Sequence, residues 1–67
     1  MSFSYDPLWK LLIEREMTKE QLRTALELSP STIAKMGKKK NVSMDVLDRI
    51  CLHLDCQIED VVKHVQK

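Results

Sequence analysis

The sequence has few glycines, prolines and aromatic residues, and it has no long apolar run. One glycine, two prolines and three aromatic side chains stand among its 67 residues. So few helix breakers, with Val, Ile and Leu at helical spacing rather than in alternation, favour an all-α chain. No apolar stretch approaches the roughly 18 residues that a membrane span needs, and residues 1–6 lack both the basic and the apolar part of a signal peptide. We therefore expect a cytoplasmic protein that contacts no membrane.

The chain is short, and its length limits the classes of function. We expect one domain over residues 1–67, which buries only about 60% of the surface of its unfolded chain. Such a domain is too small to enclose a sizeable substrate pocket. Asp60 and His64 are four residues apart, which is typical of a surface pair on a helix rather than a catalytic dyad. We expect no enzymatic activity, no catalytic residue and no cofactor.

Cysteine is also scarce. Cys51 and Cys56 are five residues apart, which allows either a redox or metal pair or two free thiols. A metal site needs three or four ligands, and His53 and His64 complete no familiar spacing. Because thiols stay reduced in the cytosol, free buried thiols are the preferred interpretation, and we expect no metal.

Two helix start signals stand close together in the middle of the chain. Thr18 followed by Gln21 has the form of a capping box, and Ser29 followed by Pro30 is an N-cap with proline at the first helical position. They predict two short helices joined by a tight turn, within residues 18–36. The second helix presents small polar side chains and free backbone N–H groups at an exposed tip, which can enter a DNA major groove. The sequence therefore predicts a helix-turn-helix DNA-binding domain.

Apolar spacing and further caps complete the expected set of helices. Asp6 and Pro7 mark the start of a first helix, Ser43 caps a fourth, and Gly37 is expected to end the third in a left-handed conformation. The apolar residues at 58, 61, 62 and 65 are interpreted as a fifth helix. The predicted helices cover about 7–16, 19–26, 30–36, 44–54 and 58–65.

The net charge is small, but the charged residues are unevenly distributed along the chain. The formal net charge is only +1, yet residues 19–40 hold six basic and two acidic side chains, a balance of +4, and the remainder carries −3. The positive part coincides with the predicted helix-turn-helix. Lys38–Lys40 is either a loop that contacts DNA phosphates or a solvated surface loop, and the distribution of charge favours the first.

Three blocks of residues match a known pattern. They are Met17–Lys19, Leu28–Ile33 and Ser43–Cys51, the last with the spacing Leu-x-x-Ile-Cys. Through them, residues 5–65 resemble the Cro/phage-repressor (Xre) type of helix-turn-helix domain, in its compact single-domain bacterial branch. The resemblance implies an all-α, five-helix bundle of the lambda-repressor-like type, in which the second and third helices read DNA.

The resemblance also implies roles for individual residues toward double-stranded DNA. Lysine can donate to guanine O6 and N7, and a serine hydroxyl can donate or accept at a base edge. Phosphate contacts from lysine add affinity that does not depend on sequence. The implied base-reading residues are Ser29, Pro30, Ser31 and Lys35, and the implied phosphate contacts are Lys19, Lys38, Lys39, Lys40 and Thr32, the last of which can also meet a base.

Two positions depart from the family pattern. Arg23 stands where the family usually has a small residue, and Glu27 stands where the turn usually has glycine. Glutamate is costly if the turn needs a positive φ. Either the turn adopts a different conformation, or the third helix sits at a different angle.

The preferred function is a sequence-specific transcriptional regulator that acts by occupying an operator. Two copies related by a twofold axis would read half-sites about one helical turn apart, so we expect a homodimer and no small-molecule effector. The alternative, suggested by Arg23, Glu27 and the low net charge, is an antitoxin-like or adaptor-like interaction module without strong DNA binding. Trp9 belongs either to the dimer surface or to contacts with the fifth helix. The candidate dimer residues are apolar side chains in excess of one small core: Phe3, Tyr5, Trp9, Ile13, Val62 and Val65.

Overall fold

The ends of the chain pair as a small sheet beside four α-helices. A computed structural model describes residues 2–66, so the first and last residues of the predicted domain lie outside the described part. β1 and β2 are antiparallel, with Ser2 opposite Val65 and Ser4 opposite Lys63. The elements are β1 (Ser2–Ser4), α1 (Asp6–Glu14), α2 (Lys19–Leu26), α3 (Pro30–Gly37), α4 (Met44–Leu54), a 3₁₀ turn (Ile58–Asp60) and β2 (Lys63–Val65).

Three helices begin at the caps predicted from the sequence. The Gln21 amide donates to Thr18 Oγ1 at 3.0 Å, and the Thr18 amide donates to Gln21 Oε1 at 2.8 Å, which confirms the capping box of α2. Ser29 and Ser43 each accept a hydrogen bond from a backbone amide in the first turn of α3 and α4. These bonds satisfy amides that have no partner within the helix.

The ends of α1 and α3 differ from the predicted ones. α1 ends at Glu14, two residues early, and Glu16 in the following turn has a φ of 55°. Asp6 is the first residue of α1 rather than its cap, and its amide donates to Ser4 Oγ at 3.2 Å. The prediction that Gly37 adopts a left-handed conformation is wrong, because Gly37 lies in the last turn of α3 and Lys39 has the positive φ, 61°.

The predicted fifth helix is wrong, and with it the five-helix bundle. Residues 58–65 instead form the 3₁₀ turn and β2. The Gln57 amide donates to Asp60 Oδ2 at 3.1 Å and starts that turn. Four of its eight residues, Ile58 and three valines, are β-branched, and a β-branched side chain fits a strand better than a helix. β1 supplies backbone partners across the sheet, so over residues 2–66 the fold is mostly helical, with four α-helices and a two-stranded sheet.

Leucines from α1, α2 and α4 form most of the core. Leu8, Leu22 and Ile50 have no exposed surface. Leu28, in the turn between α2 and α3, is buried, whereas Ala25 of α2 is exposed. The complete buried apolar set is Tyr5, Leu8, Leu12, Leu22, Leu26, Leu28, Met36, Leu47, Ile50, Leu54 and Val61.

Candidate DNA interface

The turn between α2 and α3 is left-handed at a glutamate. Glu27 has φ 55° and ψ 39°, and the next residue, Leu28, is buried in the core. A non-glycine residue in this conformation costs about 1–2 kcal/mol, because its Cβ crowds the backbone. The sequence left open whether this turn avoids the positive φ that a glycine would take, and the conformation of Glu27 excludes that alternative. Burial of Leu28 holds the turn in place and offsets the strain at Glu27.

Arg23 bonds this turn directly. Its Nη1 donates to the Leu28 carbonyl oxygen at 3.2 Å, and its Nε donates to Glu20 Oε1 at 3.0 Å, with an ion pair between the same two side chains. The hydrogen bond from Arg23 holds the pKa of the Glu20 carboxyl below its usual value. The large side chain at this position therefore gives the Leu28 carbonyl of the turn a hydrogen-bond partner.

The N-terminal tip of α3 carries a cluster of hydroxyl groups. Ser29 Oγ accepts from the Thr32 amide at 3.3 Å and lies 3.0 Å from both Ser31 Oγ and Thr32 Oγ1. Ser29, Pro30 and Ser31 are exposed, and Thr32 is half-buried. Lys35 is exposed and four residues after Ser31, which places the two on one side of the helix.

A shallow depression beside α3 brings the helix and the following loop together. It has a volume of about 280 Å³, and Thr32, Lys35 and Asn41 are among its lining residues. Asn41 is exposed. Asparagine can bond adenine through N6 and N7, so its placement adds a polar group that the sequence analysis did not consider.

The loop after α3 is held to the N-terminal segment by Tyr5. The Tyr5 hydroxyl donates to the Lys40 carbonyl oxygen at 2.8 Å, and the Lys40 amide donates to the Lys35 carbonyl oxygen at 2.8 Å. Burial raises the pKa of Tyr5, and a backbone hydrogen bond with Val42 partly offsets that rise. Lys38, Lys39 and Lys40 themselves are exposed. Tyr5 therefore anchors the end of the basic loop at Lys40, a role that no sequence signal indicated because the partners are 35 residues apart.

Arg49 ties α4 to the helix-turn-helix. Its Nη2 donates to the carbonyl oxygen of Leu26, the last residue of α2. A carbonyl in the last turn of a helix has no partner within the helix, so a cationic donor there satisfies it. Arg49 lies within one of the sequence blocks that match the family pattern, but its role became evident only from the structure.

Lys19 lies at the opposite end of α2, above an aromatic ring. Its Nζ is 4.3 Å from the centroid of the Trp9 ring, a distance typical of a cation–π contact. Trp9 is half-buried, and Lys19 is exposed. Of the two positions considered for Trp9, contact with a fifth helix is excluded because that helix does not form, and the ring lies beside the start of α2.

The residues predicted for a dimer surface do not form one patch. Tyr5 is only 2% exposed and belongs to the core, so its side chain cannot face a partner. Trp9 and Ile13 line one groove, whereas Phe3 and Val62 line another of about 310 Å³. Val65 is half-buried in β2. The second groove also includes Met44 and Ile58, two exposed apolar residues that were not among the predicted dimer residues.

The thiols of Cys51 and Cys56 are free, and both are half-buried rather than buried. Burial and the neighbouring Cys51 raise the pKa of the Cys56 thiol. Within residues 2–66, no group of three or more His, Cys, Asp or Glu side chains is arranged to hold a metal ion. In the same part of the chain, the α-helices are too short and too polar to cross a lipid bilayer.

Comparisons with known proteins agree with this geometry. A family model described as Cro/C1-type HTH DNA-binding domain matches residues 7–67. A crystal structure of the transcriptional regulator VanUg superposes with a TM-score of 0.96 and is 47% identical in sequence. The alignment covers 98% of this chain and 88% of that one. No curated protein sequence matches the chain.

Proposed function

The chain belongs to the Cro/C1-type helix-turn-helix DNA-binding domain family, and from that premise we propose that it is a transcriptional regulator that acts by occupying an operator in double-stranded DNA. The observation that carries the proposal is the exposed tip of α3 beside the exposed lysines of residues 38–40. VanUg, which is 47% identical, is a transcriptional regulator, a class that is generally not enzymatic. We accordingly propose no catalytic role, no cofactor and no effector.

In this proposal the helix tip reads bases and the surrounding lysines bind phosphates. Ser29, Pro30, Ser31 and Lys35 reach base edges in the major groove, and hydroxyl and ammonium groups match the donors and acceptors there. The positive end of the α3 dipole favours a nearby anion, which supports a phosphate contact of the Thr32 side chain. The remaining phosphate contacts are Lys19, Lys38, Lys39 and Lys40.

We also propose that two copies of the chain bind one operator. The apolar groove of Phe3, Met44, Ile58 and Val62 is the proposed dimer surface, since Met44 is 75% exposed and Phe3 and Ile58 are each 43% exposed. Exposed apolar side chains grouped in this way are typical of protein–protein contacts. The groove also includes Asn41 from the loop after α3. Contact between two copies at this groove would therefore bring their α3 helices near each other.

A random-library DNA selection at two salt concentrations tests the proposal. We expect enrichment of an inverted repeat with half-sites about one helical turn apart. The variant K38A/K39A should reduce the slope of log affinity against log salt by up to about 2, since each lost phosphate contact removes about 0.9. The matched control K10A/K63A removes the same charge from exposed positions outside the proposed interface. It should change the salt slope less than K38A/K39A does.

Two results would contradict the proposal. Equal slopes for the K38A/K39A and K10A/K63A variants would refute the phosphate contacts of the basic loop. No enriched sequence and no salt-dependent retention would refute operator binding and favour the protein-interaction module. In that case the apolar groove of Phe3, Met44, Ile58 and Val62 would be the surface to examine for a protein partner.

A further inference from the structure

We propose that Trp9 is a positioning residue for DNA binding, whose ring holds the Lys19 ammonium where it meets a backbone phosphate. The inference rests on the proposed function, because it assigns a support to one of the proposed phosphate contacts. Lys19 Nζ lies 4.3 Å from the Trp9 ring centroid. This is well inside the separation of about 6 Å within which a cation and an aromatic face attract each other.

The contact orders the lysine without neutralising it. A free lysine side chain loses up to about 2 kcal/mol of conformational entropy when a phosphate immobilises it. A carboxylate partner would order the side chain too, but it would compete with the phosphate for the charge. Within residues 2–66, the one ion pair joins Arg23 and Glu20, so no carboxylate is paired with Lys19. The ring occupies one side of the ammonium and leaves N–H donors for a phosphate oxygen.

Both ends of the contact are fixed by the fold. Trp9 is half-buried, its amide donates to the Tyr5 carbonyl oxygen at 3.1 Å, and its ring lines a groove of about 230 Å³ with Leu12 and Met17. Lys19 is the first residue of α2, directly after the reciprocal capping bonds of Thr18. The ring is therefore a rigid platform, and the backbone that carries the lysine is anchored beside it.

The other aromatic side chains do not serve this purpose. Phe3 packs edge-on against His64 with ring centroids 5.1 Å apart, and Tyr5 is buried in the core. Within the described part of the chain, Lys19 and Trp9 form the one cation–π contact. Lysines 38–40, by comparison, depend on the backbone of their loop for their placement. Lys19 is thus distinguished from the other proposed phosphate contacts by a side-chain support.

A double-mutant cycle on DNA affinity tests the inference in the full chain. The variants are W9L, K19M and W9L/K19M, titrated against the operator that the selection identifies. K19M should lower the salt slope by about 0.9. W9L should weaken binding about two- to fivefold, the factor that corresponds to an exposed cation–π contact, with little change in slope. In the K19M background the W9L change should have almost no further effect.

Two controls separate positioning from general damage to the fold. L52A shortens an apolar side chain of α4 that is 73% exposed and does not line the groove of Trp9, so its affinity should match the wild type. W9F keeps an aromatic face that attracts a cation less strongly, so it should give an intermediate loss of DNA affinity, and this loss should disappear in the K19M background. If W9L does not fold, the W9F variant still allows the test. In NMR spectra of the free protein, the Lys19 methylene protons should move downfield in W9L as the ring current is lost.

Additive effects of the Trp9 and Lys19 changes, or tighter binding by W9L, would overturn the inference. Tighter binding would mean that the ring competes with the phosphate for the ammonium. If K19M lowers the slope and the effects are additive, the inference fails while the proposed function stands. If the wild type shows no salt-dependent binding to DNA, both fail.

Discussion

Replacing Glu27 with glycine tests whether the turn between α2 and α3 stores backbone strain. Glu27 has φ 55° and ψ 39°, where an L-residue costs about 1–2 kcal/mol and glycine costs nothing. Glycine also gains freedom in the unfolded chain, which offsets about 0.5–1 kcal/mol of that benefit. From the middle of these two ranges, E27G should therefore raise the free energy of unfolding by about 0.75 kcal/mol, which corresponds to about 3–6 °C in melting temperature for a domain of this size.

E27A is the matched control for this prediction. Alanine removes the carboxylate but keeps the Cβ, so its backbone strain equals that of glutamate. Glu27 is exposed, and no hydrogen bond of its side chain is found in residues 2–66, so E27A should be close to the wild type. Urea unfolding of all three proteins at one pH and salt concentration measures the difference. If E27G is no more stable than E27A, the account of strain at this turn is incorrect.

Four further predictions concern the interface, the core and the thiols. Lys35→Ala should weaken binding most at one base position, as read by affinities for a set of single-base operator variants. Ile50→Ala should lose about 2–5 kcal/mol in urea unfolding, because Ile50 is fully buried; a small loss would show that the cavity collapses. Tyr5→Phe should cost about 1 kcal/mol by removing the bond to Lys40, and should weaken DNA binding on all sequences alike; unchanged affinity would show that the loop does not need it. Because the pKa of Cys56 is raised, its thiolate fraction at pH 8 is below that of an ordinary thiol. The thiolate is the reactive form, so the alkylation rate of Cys56 should rise only at higher pH. Alkylation of Cys56 in the folded protein as fast as in the urea-unfolded chain would contradict this.

Structural features that depend on near neighbours could be predicted from the sequence. The start of α2 is specified by Thr18 and Gln21, three residues apart, and those of α3 and α4 by Ser29 and Ser43. The exposed tip of α3 followed from the same caps. These predictions succeeded because a cap side chain and the amide it bonds lie within one helical turn, so the tertiary fold has little influence on them.

One turn prediction was wrong, and the sequence left the conformation of another turn open. Gly37 was expected to take the left-handed conformation, since glycine does so most easily, yet after α3 the positive φ occurs at Lys39, and after α2 it occurs at Glu27. The energy of one such residue is only about 1–2 kcal/mol. Burial of a neighbour such as Leu28 is worth as much, so packing decided where the chain turned.

By itself, the sequence determined the helix-turn-helix, its caps and the basic segment, because each is a short-range pattern of charge, capping and apolar spacing. Only the tertiary structure decided the conformation of residues 58–65, because their strand forms by pairing with β1 at the other end of the chain. It likewise decided that Tyr5 holds the basic loop and that Trp9 faces Lys19. Contacts of this kind join residues far apart in sequence, and no local propensity encodes which of them meet.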